Sequence, residues 1–232
     1  MALGTALAKT TKRASPSTSP GRAPATRDAI LRAASVVFAK YGYDGGSIEK
    51  ITRAAKTHDR MIYYYFGSKE KLYIEVIENV YRQMSDAEAA LVLDTHAPVA
   101  SLIRLVDFVW QHYCKHPEFM TLLNTENLRQ GRHIAKSRKA REYSSTAISL
   151  LDGLLASGVQ AKLFRADISA RDVYLLIAGM GYFYQSNRYT LAAFLGEPTQ
   201  TPDALDHWHS FMRDVVLRAV SAGPVVATQR PK

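Results

Sequence analysis

The stretch Ser47–Leu72 constrains the fold of this chain more than any other part of the sequence. It runs SIEKITRAAKTHDRMIYYYFGSKEKL, and its pattern predicts a helix, a tight turn, a short second helix and the start of a third. Ser47 and Ser68 stand where a helix N-cap is expected, because each precedes a segment with helical spacing of apolar residues. Two short helices joined by a tight turn are typical of a unit that inserts one helix into a DNA groove.

The second of these helices is unusually polar and aromatic for its length. We expect Thr57–Arg60 to form its exposed first turn and to contact bases, and Tyr64 and Lys71 to contact phosphates. Ile62 and Phe66 are expected to point into the core. The start of the next helix also favours a phosphate, because its free N–H groups and dipole attract anions. The predicted DNA-contacting residues are Ser47, Lys56, Thr57, His58, Asp59, Arg60, Tyr63, Tyr64, Lys69 and Lys71.

The positive charge of the chain is concentrated in its first third. The net charge is +9, and residues 1–71 hold 13 of the 30 Lys and Arg residues but only 5 of the 21 Asp and Glu residues. The remaining residues are close to neutral. This distribution indicates a module that binds a polyanion, attached to a module with another role.

Beyond residue 85 the chain keeps a helical pattern. Further helices are predicted over residues 101–115, 118–127, 140–158, 170–195 and 202–220, with breaks at residues 94–98 and at His116-Pro117. The first helix should begin at Thr26 as N-cap and stop at Gly42. No strand or internal repeat is evident, so the expected fold is all-α with about nine helices.

Residues 27–73 resemble the DNA-binding domain of the TetR family of transcriptional regulators. The resemblance lies in the spacing of twelve positions: Phe38, Gly42, Tyr43, Ser47, Ile48, Ile51, Ala54, Tyr64, Phe66, Ser68, Lys69 and Leu72. Lys56-Thr57 departs from the family pattern, which has Gly-Val at the turn between the two helices. A side chain at that turn is expected to cost some strain.

This resemblance implies a homodimer that binds double-stranded DNA at a near-palindromic operator and is released by a small-molecule effector. It divides the chain into a basic N-terminal arm (1–24), a three-helix DNA-binding domain (25–85) with its helix-turn-helix at about 47–67, an effector-binding and dimerisation domain (86–223) and a tail (224–232). The arm and the tail are expected to be disordered. The arm alternatively adds phosphate or minor-groove contacts. No cofactor is implied.

The second half of the chain carries two polar clusters. Residues 115–136 and 181–196 are similar to a TetR subset that includes a regulator of pyrimidine utilisation. The clusters either satisfy helix ends, pair with each other or lie on the surface, with Glu126–Arg188 as one candidate ion pair between helices, or they line an effector pocket. The residues proposed for effector binding are Asn124, Asn127, Arg129, His133, Tyr182, Gln185 and Arg188.

Helices 170–195 and 202–220 are more apolar than one core stripe requires. Their excess surface is expected to form a dimer interface, the alternative being a larger core of the monomer. Gly179 and Gly181 would allow close helix approach. Cys114 is expected to be a small core residue.

Catalysis has little support in the sequence. His207 and His209 do not share a helical face, so no metal site is predicted. A single cysteine and the lack of a signal peptide or a long apolar run favour a cytoplasmic protein. Three functions remain open: an effector-responsive repressor, an architectural DNA-binding protein without ligand control, and a helical enzyme acting on a small hydrophobic substrate.

Overall fold

The computed structural model describes residues 22–223, and the regular secondary structure within that range is almost entirely α-helical. A short 3-10 helix, Ile134–Lys136, and one isolated bridge between Phe164 and Ser221 are the other regular features of the described residues. The ten α-helices are α1 (Arg22–Gly45), α2 (Ile48–Ala55), α3 (Asp59–Phe66), α4 (Lys69–Ala89), α5 (Pro98–Lys115), α6 (Pro117–Leu128), α7 (Lys139–Gln160), α8 (Ala170–Ser186), α9 (Arg188–Leu195) and α10 (Pro202–Val220). The all-α prediction is confirmed, with one helix more than expected.

Helix α1 starts earlier than the sequence suggested. It begins at Arg22, so Thr26 is not its N-cap, and residues 22–24 of the predicted arm belong to this helix. Pro24 is tolerated because the N–H groups of a first helical turn have no partner in the helix. The predictions for residues 1–21 and 224–232 lie outside the described range. Gly42 breaks the helical geometry at φ 66° and ψ −178°, as expected for a stop at this position.

Helices α1, α2 and α3 pack together around a small apolar core with the start of α4. Ile30, Phe38, Ile51, Ile62 and Leu72 are all fully buried there. Ser47 and Ser68 are N-caps as predicted, since their hydroxyls accept hydrogen bonds from the backbone N–H of the third residue of each helix, Lys50 and Lys71. These caps fix where the two helices begin and therefore the relative position of α2, α3 and α4.

The predicted helix over residues 170–195 is two helices. Asn187 is non-helical at φ −101° and ψ 12°, and its amide donates to the Phe183 carbonyl and the Ser186 hydroxyl. Asn side chains compete with the helix for backbone hydrogen bonds, which explains the break. The apolar pattern continues across the break and conceals it in the sequence.

Helix α4 belongs to both halves of the molecule. It contacts α1 and α3 and also α5 and α7. At 21 residues it spans roughly 30 Å. Helix α1 also contacts α6. Arg27 of α1 pairs with Glu75 of α4. No helix within residues 22–223 is long and apolar enough to cross a membrane.

Candidate nucleic-acid interface

The turn between α2 and α3 is tight and left-handed. Lys56 lies at φ 51° and ψ 47°, where a glycine would carry no steric cost. The turn is closed by two backbone bonds, from the Thr57 N–H to the Thr52 carbonyl at 3.0 Å and from the Lys56 N–H to the Arg53 carbonyl at 3.3 Å. The departure from the family's glycine is thus accommodated at the expense of strain, as the sequence predicted.

Helix α3 has one buried and one exposed face. Ile62 and Phe66 are buried, as predicted, and Tyr65 is half-buried against the core. Tyr63 and Tyr64 project outward, with 54% and 77% of their surface exposed. A short helix with one face fixed in a core can hold the opposite face in a defined register against a partner.

The predicted first turn of this helix needs correction. Thr57 belongs to the preceding turn and His58 is the N-cap, so only Asp59 and Arg60 are helical. The Asp59 carboxylate accepts a 2.9 Å hydrogen bond from the hydroxyl of Thr52, which is buried in α2. This bond ties α2 to α3. His58 and Arg60 are exposed.

The two lysines that open α4 differ in their surroundings. The Lys69 ammonium lies 4.7 Å from the Tyr43 ring centre, and partial burial together with Lys50 lowers its pKa. It also donates a long 3.4 Å hydrogen bond to the Asp44 carbonyl. Lys71 is exposed beside the Ser68 cap. Lys69 therefore braces the corner after α1, while Lys71 is the freer of the two to meet a phosphate.

The residues proposed for effector binding lie in separate groups. Tyr182 on α8 donates a hydrogen bond to the Asn124 amide oxygen, and Asn127 donates to the Tyr182 hydroxyl at 3.3 Å. These three residues link α6 to α8. Arg129 instead pairs with Asp44 and lies over the Tyr43 ring, at the junction with α1.

Glu126 and Arg188 do not form the ion pair considered from the sequence. The buried Glu126 carboxylate accepts hydrogen bonds from the backbone N–H groups of His133 and Ile134, at 2.6 and 2.9 Å, and contacts the His133 ring at 3.0 Å. It thereby caps the loop after α6. The His133 ring lies against Tyr43 and Tyr73, so this loop is clamped to the DNA-binding half.

Arg188 and Gln185 also act within the protein. The Arg188 guanidinium donates to the Gln185 carbonyl at 2.9 Å, which secures the break between α8 and α9. The Gln185 amide donates to the Cys114 sulfur at 3.2 Å. Cys114 is exposed, so its prediction as a core residue is wrong. Its sequence neighbour Tyr113 is buried instead.

Sequence reasoning missed the buried carboxyl group of Glu88. The residue is 2% exposed, and burial raises its pKa to about 7. The signal was present in the sequence, because Glu88 continues the four-residue spacing of the apolar stripe on α4. The stripe consists of Leu72, Val76, Val80 and Met84.

The geometry thus defines a helix-turn-helix unit with an exposed polar recognition helix, joined to a helical second half. Comparison of the sequence and fold with known proteins supports this class. A family model of bacterial regulatory proteins of the tetR family matches residues 30–76, and a second model, the tetracyclin repressor-like C-terminal domain, matches residues 98–216. The HTH-type transcriptional repressor NicS of Pseudomonas putida is 48% identical over 199 residues, covering 86% of this chain and 94% of that protein.

Other relatives match over shorter stretches or in fold alone. The regulator RutR of Escherichia coli is 39% identical over 56 residues, which is 24% of this chain and 26% of that protein. The solved structure of the fatty acid degradation regulator FadR from Bacillus halodurans superposes with a TM-score of 0.61 at 22% identity, covering 82% of this chain and 97% of that one. The chain therefore belongs to the TetR family of DNA-binding transcriptional regulators.

Replacing Lys56 with glycine should stabilise the protein. The left-handed backbone strains any residue with a Cβ, and relief of that strain is expected to raise the free energy of unfolding by about 1 kcal/mol. Urea unfolding at fixed protein concentration measures the change. Lys56→Ala is the matched control, since it removes the same charge but keeps the Cβ. Equal stability of the two variants would contradict a strained turn.

The stability of the protein should depend on pH through Glu88. The folded pKa is about 7 and an unfolded glutamate titrates near 4.5, so the folded state binds more protons between these values. The contribution of Glu88 is fully present below pH 4.5 and is lost as the pH rises through 7. Glu88→Gln should therefore stabilise the protein at pH 8, by about 3 kcal/mol, and progressively less towards pH 5.

Thermal unfolding from pH 5 to pH 8 tests this expectation. Asp86→Asn removes an exposed carboxylate from the same helix, and its effect should stay small and nearly constant with pH. A gain for Glu88→Gln that did not grow with pH would show that the carboxyl group is ionised without cost in the folded state.

Proposed function

We propose that this chain is a homodimeric repressor that binds a near-palindromic operator and releases it when a small molecule binds the second half. The observation that carries the proposal is the exposed face of α3, held in place by buried Ile62 and Phe66. A relative named as a transcriptional repressor matches along 94% of its own length, which supports repression. The protein would act on DNA in the cytoplasm.

Within this proposal, different residues of the interface contact bases and phosphates. Arg60 and His58, exposed at the start of α3, read base edges, because a guanidinium fits the two acceptors of guanine. Tyr64 and Lys71 hold phosphates on either side. The register of α3 on the DNA is supported from the turn by Lys56 and Thr57 and from the exposed face by Tyr63. The helices themselves are positioned by the internal hydrogen bonds of Ser47, Asp59 and Lys69.

The second half supplies the dimer and the effector site. We assign DNA binding to residues 25–85 and the other two roles to residues 86–223. Exposed apolar side chains cluster on three consecutive helices, more than a monomer surface usually leaves uncovered. They are Leu175, Phe183, Tyr189, Phe194, Leu195 and Phe211, each at least 46% exposed. A second copy related by a two-fold axis would bury this surface and place two recognition helices about 34–36 Å apart.

Substitutions of Arg60 and Lys71 should separate base reading from phosphate binding. Arg60→Ala is expected to cost about 1–3 kcal/mol on the operator and to relax its specificity. Lys71→Ala should weaken all duplexes alike and reduce the slope of log K against log salt by about one. Fluorescence anisotropy with the chain's own upstream DNA and a shuffled duplex, at several salt concentrations, measures both effects.

The control for these variants is Arg218→Ala, which removes an exposed arginine of α10 that pairs with Asp214. Its DNA affinity should equal that of the unaltered protein. If Arg60→Ala and Lys71→Ala weaken the operator and the shuffled duplex equally, the proposed division is wrong. If the unaltered protein shows no preference for the upstream DNA, the proposed function is wrong.

Charge on the apolar face should dissociate the dimer. Phe183→Glu places a carboxylate at a residue 54% exposed in one copy, and we expect the dimer Kd to rise by at least about 100-fold. Light scattering after size-exclusion chromatography measures the mass. Val92→Glu changes another exposed apolar residue, 77% exposed and outside this face, and that variant should remain dimeric. If the Phe183→Glu protein remained dimeric, the dimer interface would have to lie elsewhere.

A further inference from the structure

Glu88 combines full burial with one carboxyl oxygen that has no hydrogen-bond partner among the described residues. It lies in the last turn of α4 with 2% of its surface exposed. Its Oε1 atom has no hydrogen-bond partner among the residues that the structure describes. Buried carboxyl groups are usually paired, because desolvation strongly disfavours the charged form. A carboxyl group kept in such a place with one oxygen unpartnered indicates a binding role for it.

The surroundings of Glu88 are aromatic and hydroxylated. Tyr113 on α5 and Tyr174 on α8 are its electrostatic neighbours, and the pKa of Tyr174 is raised to about 12 by burial first and then by Glu88. Tyr81 and Tyr182 belong to the same group, since each raises the pKa of Tyr113. The cluster therefore joins α4, α5 and α8 around one carboxyl group.

Aromatic stacking gives this cluster a rigid wall. The Phe119 ring lies 5.5 Å from Tyr81 and 5.9 Å from Tyr113, and the second pair is stacked with its planes 17° apart. Tyr182 is in turn fixed by its hydrogen bond to Asn124 on α6. Four helices of the regulatory half thus contribute side chains to one polar point within an aromatic region.

We propose that Glu88 anchors the effector, and that the effector is a small aromatic or heteroaromatic compound with an N–H donor, in its strongest form a protonated amine. The inference rests on the proposed function, because it names the ligand class of the regulatory half. A carboxylate accepts such a donor, and the faces of tyrosine and phenylalanine rings attract cations. An effector with a carboxylate at the same point would be repelled.

The position of Glu88 also connects the ligand to DNA. Helix α4 carries Glu88 in its last turn and Lys69 and Lys71 in its first. Because a helix is stiff over this length, a ligand that displaces Glu88 also displaces the phosphate-contacting end and the adjoining α3. An effector with different affinity for the two positions of α4 then shifts the operator equilibrium.

The test uses three ring compounds of one size and different charge on the full-length protein at pH 8, above the pKa of about 7 of Glu88. Benzylammonium should raise Tm by about 2–4 °C at roughly 10 mM, a concentration suited to fragments of this size. Benzyl alcohol should give a smaller shift and benzoate none. Saturation-transfer NMR on the same samples reports binding directly, independent of any change in stability. Benzoate binding as well as benzylammonium would overturn the proposal.

Two variants assign the effect to this carboxyl group. Glu88→Gln keeps the shape and removes the charge, so it should abolish the preference for benzylammonium over benzyl alcohol. Asp86→Asn removes an exposed charge from the same helix and should leave the preference unchanged. If Glu88→Gln binds benzylammonium as the unaltered protein does, Glu88 is not the anchor. Should that variant fail to fold, the three-compound comparison on the unaltered protein still decides.

Anisotropy of the upstream DNA separates this inference from the proposed function. Specific DNA binding that benzylammonium weakens, and benzoate does not, supports both. Specific DNA binding that all three compounds leave unchanged overturns the effector assignment and leaves the repressor intact. Failure to bind the upstream DNA specifically overturns the proposed function. The binding assays on the free protein then test by themselves whether Glu88 binds the amine.

Discussion

The apolar stripe of helix α4 is the constraint on which the rest of the structure depends. Leu72, Val76, Val80 and Met84 are all buried along this helix, which contacts α1 and α3 as well as α5 and α7. The two halves therefore share a structural element, and α4 cannot tilt without disturbing the core at either end. Close-packed interiors respond to such a movement by switching arrangement and not by stretching. Under the proposed function, α4 would therefore carry a signal from the effector to the operator.

A second link makes the junction stiffer. The loop after α6 is capped by the buried Glu126 carboxylate, and its His133 ring lies 4.5 Å from Tyr43 and 4.9 Å from Tyr73. Tyr43 follows the break at Gly42, so the corner of α1 is held by the regulatory half. Burial and the neighbouring Glu126 carboxylate raise the pKa of Tyr73, which keeps its hydroxyl neutral within this clamp. His133, which the sequence suggested for effector binding, here joins the two halves of the molecule.

Sequence periodicity predicted what depends on local rules. Caps at Ser47 and Ser68, the buried pair Ile62 and Phe66, and the strained turn at Lys56 follow from helix chemistry and spacing alone. The partners of polar side chains could not be predicted, because they depend on the packing of distant helices. Glu126 and Arg188 illustrate this, as each is satisfied by backbone groups of its own neighbourhood and not by the other. The placement of the ten predicted DNA contacts is now known, while their roles remain predictions.

Two positions carry costs that a protein selected only for stability would avoid. Lys56 occupies a left-handed backbone conformation at the turn before the recognition helix, and Glu88 buries a carboxyl group at the far end of α4. Strain and uncompensated burial concentrate where function requires them. Lys56 keeps a positive charge beside the DNA-facing helix at the expense of backbone energy. By the same reasoning, Glu88 holds an unfilled hydrogen-bonding site among aromatic rings, and the ligand that fills it would recover the free energy that folding lost there.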